Sequence, residues 1–494
     1  MRGLGRPLLH RRTPELMSTM PRFHHRPARL ARLSWVLLLP ALLGGSRAAS
    51  APPAKSIVIV GVADLKGKTS PCGCHVPKGG LSRMAAFLDS TRSAGAPVMF
   101  LDAGGAFPDV EGRSDLADFM FGSLSGLVHA DAVGVAPRDL QFGLGFLKAL
   151  AKQHAVPLTC ANLRLRSNST PVFPTSLLIE REGRRVGVFA LLGERFPLGP
   201  AADSLVVSDA ESAANREVLA LRARGAQVIV LLAQLGRVGG EDIAAAVPGI
   251  DAVVLGHDIP ILEQGRRVGD AIASYAGDQG QNIGVLTMTF DDAGKVIDRQ
   301  ASVCTLGPEV REQPAALQAV KSFEDHYNER MRAEQRRLQA LADADPDQDP
   351  VDRFVGGAVC ARCHVAEAEQ WKTTAHSLAW ETLMREKKDA TPECIPCHSV
   401  GYRQPGGFRD ASQTPHLVNV QCENCHGMGT LHRADGEARN PVGELTCRGC
   451  HNAERDPEFD YRAKLPLMVH GNTSGESIRL IQERRAKGYD SNKR

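Results

Sequence analysis

From residue 55 to about residue 305, short β-branched runs alternate with stretches of helical period, and this alternation predicts an α/β fold. The runs 57–62, 98–102, 132–135, 156–161, 228–232 and 252–255 read as strands. The stretches 81–93, 116–129, 144–153, 210–224 and 241–247 read as helices. After Tyr275 the pattern returns to strands, at 284–290 and 297–305. Asp64, Asn162 and His257 fall just past strand ends, where open α/β sheets form their ligand crevice. Each of the three also suits a turn or a helix cap.

The pattern then changes twice. Residues 312–340 place Leu317, Val320, Phe323 and Tyr327 at helical spacing among Ala, Gln, Glu and Arg, which predicts a helix docked on its own domain. Residues 343–352 are acidic and broken by proline, so they read as a linker, with the domain boundary near Pro350. From residue 354 to 470, β-branched runs are scarce and long periodic helices few. A segment with so little apolar material of its own is expected to build its interior around a prosthetic group.

The candidate chemistry lies in that segment. C-A-R-C-H, C-I-P-C-H, C-E-N-C-H and C-R-G-C-H follow one another between Cys360 and His451. The thiols are Cys360/Cys363, Cys394/Cys397, Cys422/Cys425 and Cys447/Cys450, and the adjacent imidazoles are His364, His398, His426 and His451. Two thiols three positions apart each add to one vinyl group of a haem, and the next residue's imidazole then reaches the iron. Paired C-x-x-C units also build zinc ribbons, but zinc does not require a His directly after every second Cys. The expectation is four covalently attached haem c groups. Sixth ligands can come from His376, His416, His432 and His470, or from Met428 and Met468; an iron left without one has an open position.

Composition refines the picture. The chain has 494 residues, 43% hydrophobic and 23% charged, as in soluble proteins of two or three domains. The first fifty residues hold nine Arg, no Lys and one acid, followed by the apolar run 33–43 and then small residues. This is the order of a secretory signal peptide, and eleven residues broken by Pro40 are too few for a bilayer span. Met17 and Met20 are alternative starts within the long basic region. Without the first fifty residues the formal charge of +3 turns acidic, which offers no basic face for nucleic acid. Export agrees with haem attachment outside the cytoplasmic membrane, so the expected location is the periplasm and the expected partners are redox proteins there or in the membrane.

Two resemblances follow. The run 57–67, Gly79-Gly80-Leu81-Ser82-Arg83, Leu101-Asp102-Ala103-Gly104, Phe142-Gly143, Ala161-Asn162 and Gly256-His257 resemble the exported 5′-nucleotidase branch of the calcineurin-like metallophosphoesterases. That resemblance implies an α/β/β/α sandwich over residues 55–310 with a two-metal site. Lys66, Gly105, Pro137-Arg138-Asp139, Gln234 and Ile259 stand where it expects ligands; only Asp64, Asn162 and His257 remain. The expectation is therefore a degenerate, non-hydrolytic domain for binding or docking. If the fold is kept, Cys72, Cys74, Cys160 and His257 come within reach of one another as a soft-metal site. The other reading is disulfides or inert thiols among these cysteines and Cys304.

The last 140 or so residues resemble the tetrahaem cytochrome c-554-type family of ammonia-oxidising metabolism. The matching pieces include Val355-Gly356-Gly357, Gln370-Trp371, His376-Ser377-Leu378-Ala379, Gly401-Tyr402, Val420-Gln421, His432, and Phe459-Asp460-Tyr461 with His470. This resemblance implies that His376, His432 and His470 are distal ligands; His416 has no clear counterpart in it. Residues 353–494 then form a mainly helical and irregular haem domain after a 311–352 connector. The reading is an electron carrier. The alternatives are an oxidoreductase acting on a small nitrogen or sulfur compound at an open haem, and a phosphoesterase fused to a cytochrome.

Overall fold

The computed structural model describes residues 55–479 apart from 73–75, 96, 110–111, 343–351, 405, 436–441, 453–454 and 472–478. The leader and most of the acidic linker lie outside the described residues. In chain order the strands are β1 Ser56–Val62, β2 Val98–Asp102, β3 Ala132–Val133, β4 Leu163–Leu165, β5 Leu177–Arg181, β6 Arg184–Leu192 and β7 Leu205–Val207. They continue with β8 Val228–Gln234, β9 Ala252–Gly256, β10 Arg266–Val268, β11 Ala271–Ser274, β12 Asn282–Phe290 and β13 Val296–Thr305. The helices that flank them are α1 Leu81–Ser93, α2 Ser114–Gly126, α3 Leu144–Gln153, α4 Ala210–Ala223 and α5 Gly236–Ala246.

One sheet runs β13-β12-β1-β2-β3 and a second runs β10-β11-β9-β8-β6-β5. The first is parallel from β1 through β2 to β3 and antiparallel from β1 through β12 to β13. The second is parallel across β6, β8, β9 and β11, with antiparallel edges at β5 and β10. Ile57, Ile59, Met99, Leu101, Val188, Val230, Leu232 and Val254 bury the inner faces of both sheets against each other. Leu81, Met84, Phe121 and Leu147 pack α1, α2 and α3 on the outer face of the first sheet. Ala214, Leu221 and Ile243 pack α4 and α5 on the outer face of the second. The result is the four-layer α/β/β/α sandwich expected. Its central strands β2, β8 and β9 are buried on both faces, so they read as near-continuous apolar runs.

Two differences from the sequence reading have local causes. Residues 156–161 form no strand: only Leu158 bridges to Val133, because Pro157 offers no N–H, and the chain then crosses to the other sheet through Ala161 N–H to Ala190 O. The reading also missed β6, a central strand. Gly187 interrupts its apolar run because a Cβ there would stand 2.9 Å from the Leu221 side chain of α4.

Helix α6, Pro314–Ala342, follows the sandwich as expected. It docks on α2 through Phe323, whose ring stacks on Phe119 at 4.3 Å and 14°. Beyond it the chain forms short helices and irregular turns around a small apolar cluster of Phe354, Trp380, Leu383, Ile395, Val400, Phe408 and Leu417. Among the described residues no helix is long and apolar enough to cross a membrane.

Candidate functional site

The C-terminal edges of β1, β2, β8 and β9 bring the polar residues of the sandwich together. Asp64 accepts from the backbone N–H of His257 at 2.6 Å and from Gln234 Nε2 at 3.4 Å, and Gln234 Nε2 also donates to Gly104 O at 3.1 Å. Asp139 accepts the backbone N–H groups of Gly105 at 2.8 Å, Ala136 at 2.9 Å and Phe107 at 3.2 Å. Asn162 donates to Leu192 O and Ser208 O and accepts from Leu192 N–H. Lys66, where the resemblance expects a ligand, points its ammonium at Asp278, 2.7 Å away. Each polar group that survives is thus tied to the loops around it. Sequence reading named Asp64, Gln234, Asn162 and His257, but it missed the buried carboxyl of Asp102 and the structural use of Asp139.

Electrostatics at this edge are set by burial. Asp102 is fully buried beside Asp139 and Asp64, and desolvation together with those carboxyls pushes it up to about 8. Burial likewise raises Asp64 and Asp139. Asp102 Oδ1 accepts from Gly104 N–H at 2.8 Å, while Oδ2 has no partner among the described residues, which suits a neutral carboxylic acid.

The proposed soft-metal set is not gathered. Cys160 lies fully buried in the apolar core under the first sheet, its thiol donating to Asn162 at 3.7 Å and pushed up to about 11 by burial. His257 stacks its ring on Phe196 at 3.8 Å, and Cys72 accepts from the Lys78 N–H within its own turn. Cys74 lies outside the described residues. No group of three or more His, Cys, Asp or Glu among the described residues is placed to hold an ion, and Cys72, Cys160 and Cys304 are free thiols.

In the C-terminal half each pentapeptide closes a tight helical turn. His364 N–H bonds to Cys360 O at 3.0 Å and His451 N–H to Cys447 O at 2.9 Å; Cys422–His426 and Ile395–His398 are single helical turns. Such a turn sets two residues three apart on one face, as both thiols must be to reach one macrocycle. Sulfurs of different pentapeptides also lie close together: Cys360 is beside Cys422, and Cys397 beside Cys450. Motif one therefore abuts motif three, and motif two abuts motif four.

Cys363 departs from the enclosed setting expected of an attachment sulfur. It is exposed, as is the adjacent His364, whereas the other seven motif cysteines are all partly buried. The cause is local. The short helix Gly357–Cys360 ends before Cys363, which follows in the next turn with its N–H bonded to Cys360 O at 3.2 Å, outside the apolar cluster around Trp380. Protein side chains therefore do not cover this sulfur, and its place in the site rests on its spacing from Cys360 and on the turn they share.

Three of the four motif histidines face a second imidazole. The ring centres are 6.2 Å apart for His364 and His432, 6.1 Å for His376 and His451, and 6.0 Å for His426 and His470. An imidazole nitrogen lies about 2 Å from a bound metal and about 1.1 Å from its own ring centre, so two axial imidazoles on one metal stand about 6 Å apart. The spacing is too long for ring contact and fits one iron between each pair. His451 Nδ1 lies 2.7 Å from Asp456 Oδ2, His470 Nδ1 lies 3.1 Å from Gln370 Oε1, and His398 Nδ1 lies 2.5 Å from Ala379 O. In all three the Nε2 atom is left for a metal. Burial, first of all, lowers His398 and His426, which keeps them neutral as ligands must be.

His398 is the exception to the pairing. Among the described residues no second histidine ring faces it, and His416, the one unpaired histidine left in this half, is exposed with its ring beside Gly356.

Comparison with known proteins separates the two halves in the same way. A family model described as cytochrome c554 and c-prime matches residues 359–427, which hold the first three pentapeptides. Cytochrome c-554 of Nitrosomonas europaea is 37% identical over 114 residues, covering 19% of this chain and 48% of that protein. The snake venom 5′-nucleotidase of Naja atra is 25% identical over 279 residues, covering 50% of this chain and 51% of that one. The chain thus spans about half the length of the curated relatives it matches. Among solved structures, a Thermus thermophilus sulfate thiohydrolase named SoxB aligns with a TM-score of 0.49 at 16% identity, over 55% of this chain and 61% of that one.

The raised Asp102 carboxyl has a consequence for stability. The folded chain keeps a proton that the unfolded chain loses near pH 4, so stability falls as pH rises from about 4 to about 8, by at most about 1.4 kcal/mol per pH unit. Denaturant midpoints measured across that range should decline in the wild type, and Asp102→Asn should flatten the decline.

Proposed function

From a chain that joins a calcineurin-like phosphoesterase fold to a cytochrome c554-family segment carrying covalently bound haem c, we propose an exported tetrahaem electron carrier that exchanges single electrons with periplasmic or membrane-bound redox proteins. The observation that carries this reading is the threefold repetition of the 6 Å imidazole spacing on three separate motif histidines. The sequence supplies the fourth attachment site, Cys447/Cys450 with His451, which lies beyond the matched segment. In its parts, residues 55–310 form the sandwich, 311–352 the connector and 353–494 the haem domain.

Haem c supplies an iron that changes oxidation state by one electron; the chain's residues attach it, orient it and set how readily it does so. The eight motif cysteines, the exposed Cys363 among them, fix the macrocycles by thioether bonds. His364, His426 and His451 would hold the iron, each together with the imidazole that faces it: His432, His470 and His376 respectively. Bis-imidazole ligation favours lower potentials than Met/His ligation. The Cys360–Cys422 and Cys397–Cys450 contacts bring pairs of attachment edges together, which suits transfer between neighbouring groups.

A second reading rests on His398. Among the described residues no imidazole faces it, and an iron held there without a sixth protein ligand would offer a position to a small nitrogen or sulfur compound. This makes oxidoreductase chemistry the alternative to pure carriage. Phosphate-ester hydrolysis is not part of the reading, since Lys66, Gly105, Gln234 and Ile259 offer no ligand set and Lys66 already fills the cationic role with Asp278.

Mass spectrometry and a haem-counting absorption assay of the exported protein should give four haems per chain, with three low-spin centres and one high-spin centre that binds cyanide. His432→Ala, His470→Ala and His376→Ala should each convert one further centre to high spin, and a fully low-spin spectrum would remove the oxidoreductase alternative. Asp456→Asn, which weakens the hydrogen bond on His451, should raise the potential of one centre by tens of millivolts, about 59 mV for each tenfold change in relative affinity for the two iron states. Nucleotide hydrolysis in the presence of added divalent metals should stay at background.

A further inference from the structure

The two halves meet at a charged cluster that borders one haem attachment site. Glu393, directly before Cys394, accepts from Arg113 Nη1 at 2.9 Å, and Arg113 lies on the other side of the chain's fold, at the start of α2. The two side chains are 13% and 16% exposed, so the pair is largely shielded from solvent. Tyr327 of α6 donates its hydroxyl to the same carboxylate at 3.3 Å, and the Arg113 guanidinium lies 3.5 Å over the Tyr327 ring. Arg113 and Arg330 both bind Asp115, at 3.0 and 3.1 Å, which completes a balanced set of two guanidiniums and two carboxylates.

Further bonds fasten the same joint. Asn328 of α6 bonds to Lys387 O and Thr391, and Arg332 pairs with Asp389 at 2.6 Å. A cavity of about 200 Å³ lies between the halves, with Lys66, Arg113, Tyr327, Glu393, Cys394 and Arg455 on its wall. Cys394 thus shares a space with the sandwich loops that would carry metal ligands in a hydrolase.

We propose that Arg113 and Tyr327, contributed by the sandwich and its trailing helix, tune the haem attached at Cys394, so that the phosphoesterase-like half is an electrostatic part of the cytochrome. The inference rests on the haem reading above and assigns a use to the half that has lost its metal ligands. Glu393 places a negative charge one residue from the attachment sulfur and favours the oxidised iron; Arg113 cancels that charge. Removing either member leaves the other uncompensated in a poorly solvated joint, so the two removals act on the same haem with opposite sign.

The test uses the full haem-loaded chain and follows each centre by redox titration with optical and electron-paramagnetic-resonance detection. The centre absent from a Cys394→Ser/Cys397→Ser variant identifies the haem in question. Arg113→Gln should lower the potential of that centre and Glu393→Gln should raise it, each shifting its oxidised-to-reduced ratio at fixed potential on the order of tenfold. Arg113→Lys, which keeps the charge, and the double variant Arg113→Gln/Glu393→Gln should lie near the wild type. Arg337→Gln, on an exposed pair with Glu334, should shift nothing. Shifts of the same sign, shifts spread over all centres, or a potential disturbed equally by Arg113→Lys would overturn the proposal and indicate a purely structural joint. Tyr327→Phe gives an independent reading if a charge variant fails to fold: loss of its hydrogen bond to Glu393 should lower the same centre's potential, and an unchanged potential counts against the proposal. A chain without haem at Cys394 in mass spectrometry would instead defeat the haem reading itself.

Discussion

Pairs of imidazoles held about six ångströms apart dictate what the last third of this chain encloses. At that separation the rings neither stack nor bond to each other, and a polypeptide has no reason to hold such gaps open on its own. The apolar cluster here is small, built on seven buried residues around Trp380 and Phe408. Ordering more than a hundred residues costs far more conformational entropy than so slight a core returns. Covalently bound haem c, which the match to the cytochrome c554 family implies, would supply that missing interior. The same constraint explains its short helices: each needs only to present a turn with two sulfurs and an imidazole.

In the sandwich a different economy holds. Its core is complete without any cofactor, with both sheets buried on both faces. The edge where metals sit in a hydrolase is closed by hydrogen bonds among Asp64, Gln234, Gly104 and Asp139. Lys66 brings a built-in positive charge for Asp278, and Asp102 keeps its proton. Removing Asp64 or Asp139 would leave buried backbone N–H groups unsatisfied.

How much of this was legible before the structure follows from where the determinants lie in the chain. Local period fixed the ends of α1, α3 and β2 to the residue, since burial on one or both faces writes itself into consecutive positions. Pro157 and Gly187 misled in opposite directions, one hidden inside an apolar run that cannot pair and one breaking a run that does. The haem-attachment motifs were plain because five adjacent residues carry the whole signal, although nothing in those five distinguishes the exposed Cys363 from its half-buried counterparts. The facing histidines were named through the family resemblance rather than through any spacing, as His364 and His432 are far apart in sequence. The Arg113–Glu393 contact spans 280 positions and leaves no local trace. Cys160 is a related case: strand ends converge, but its side chain lies in the apolar core.

Gly105 carries a last implication. Its backbone sits at a φ of +87°, and a Cβ there would approach Asp64 Oδ1 to 2.5 Å. Restoring an aspartate at this turn would thus require the neighbouring carboxylate to swing away and the loop to change hand before any ion could be held. The turn at Gly105 is thus shaped for a residue without a side chain, and the room an aspartate would need is already taken by Asp64.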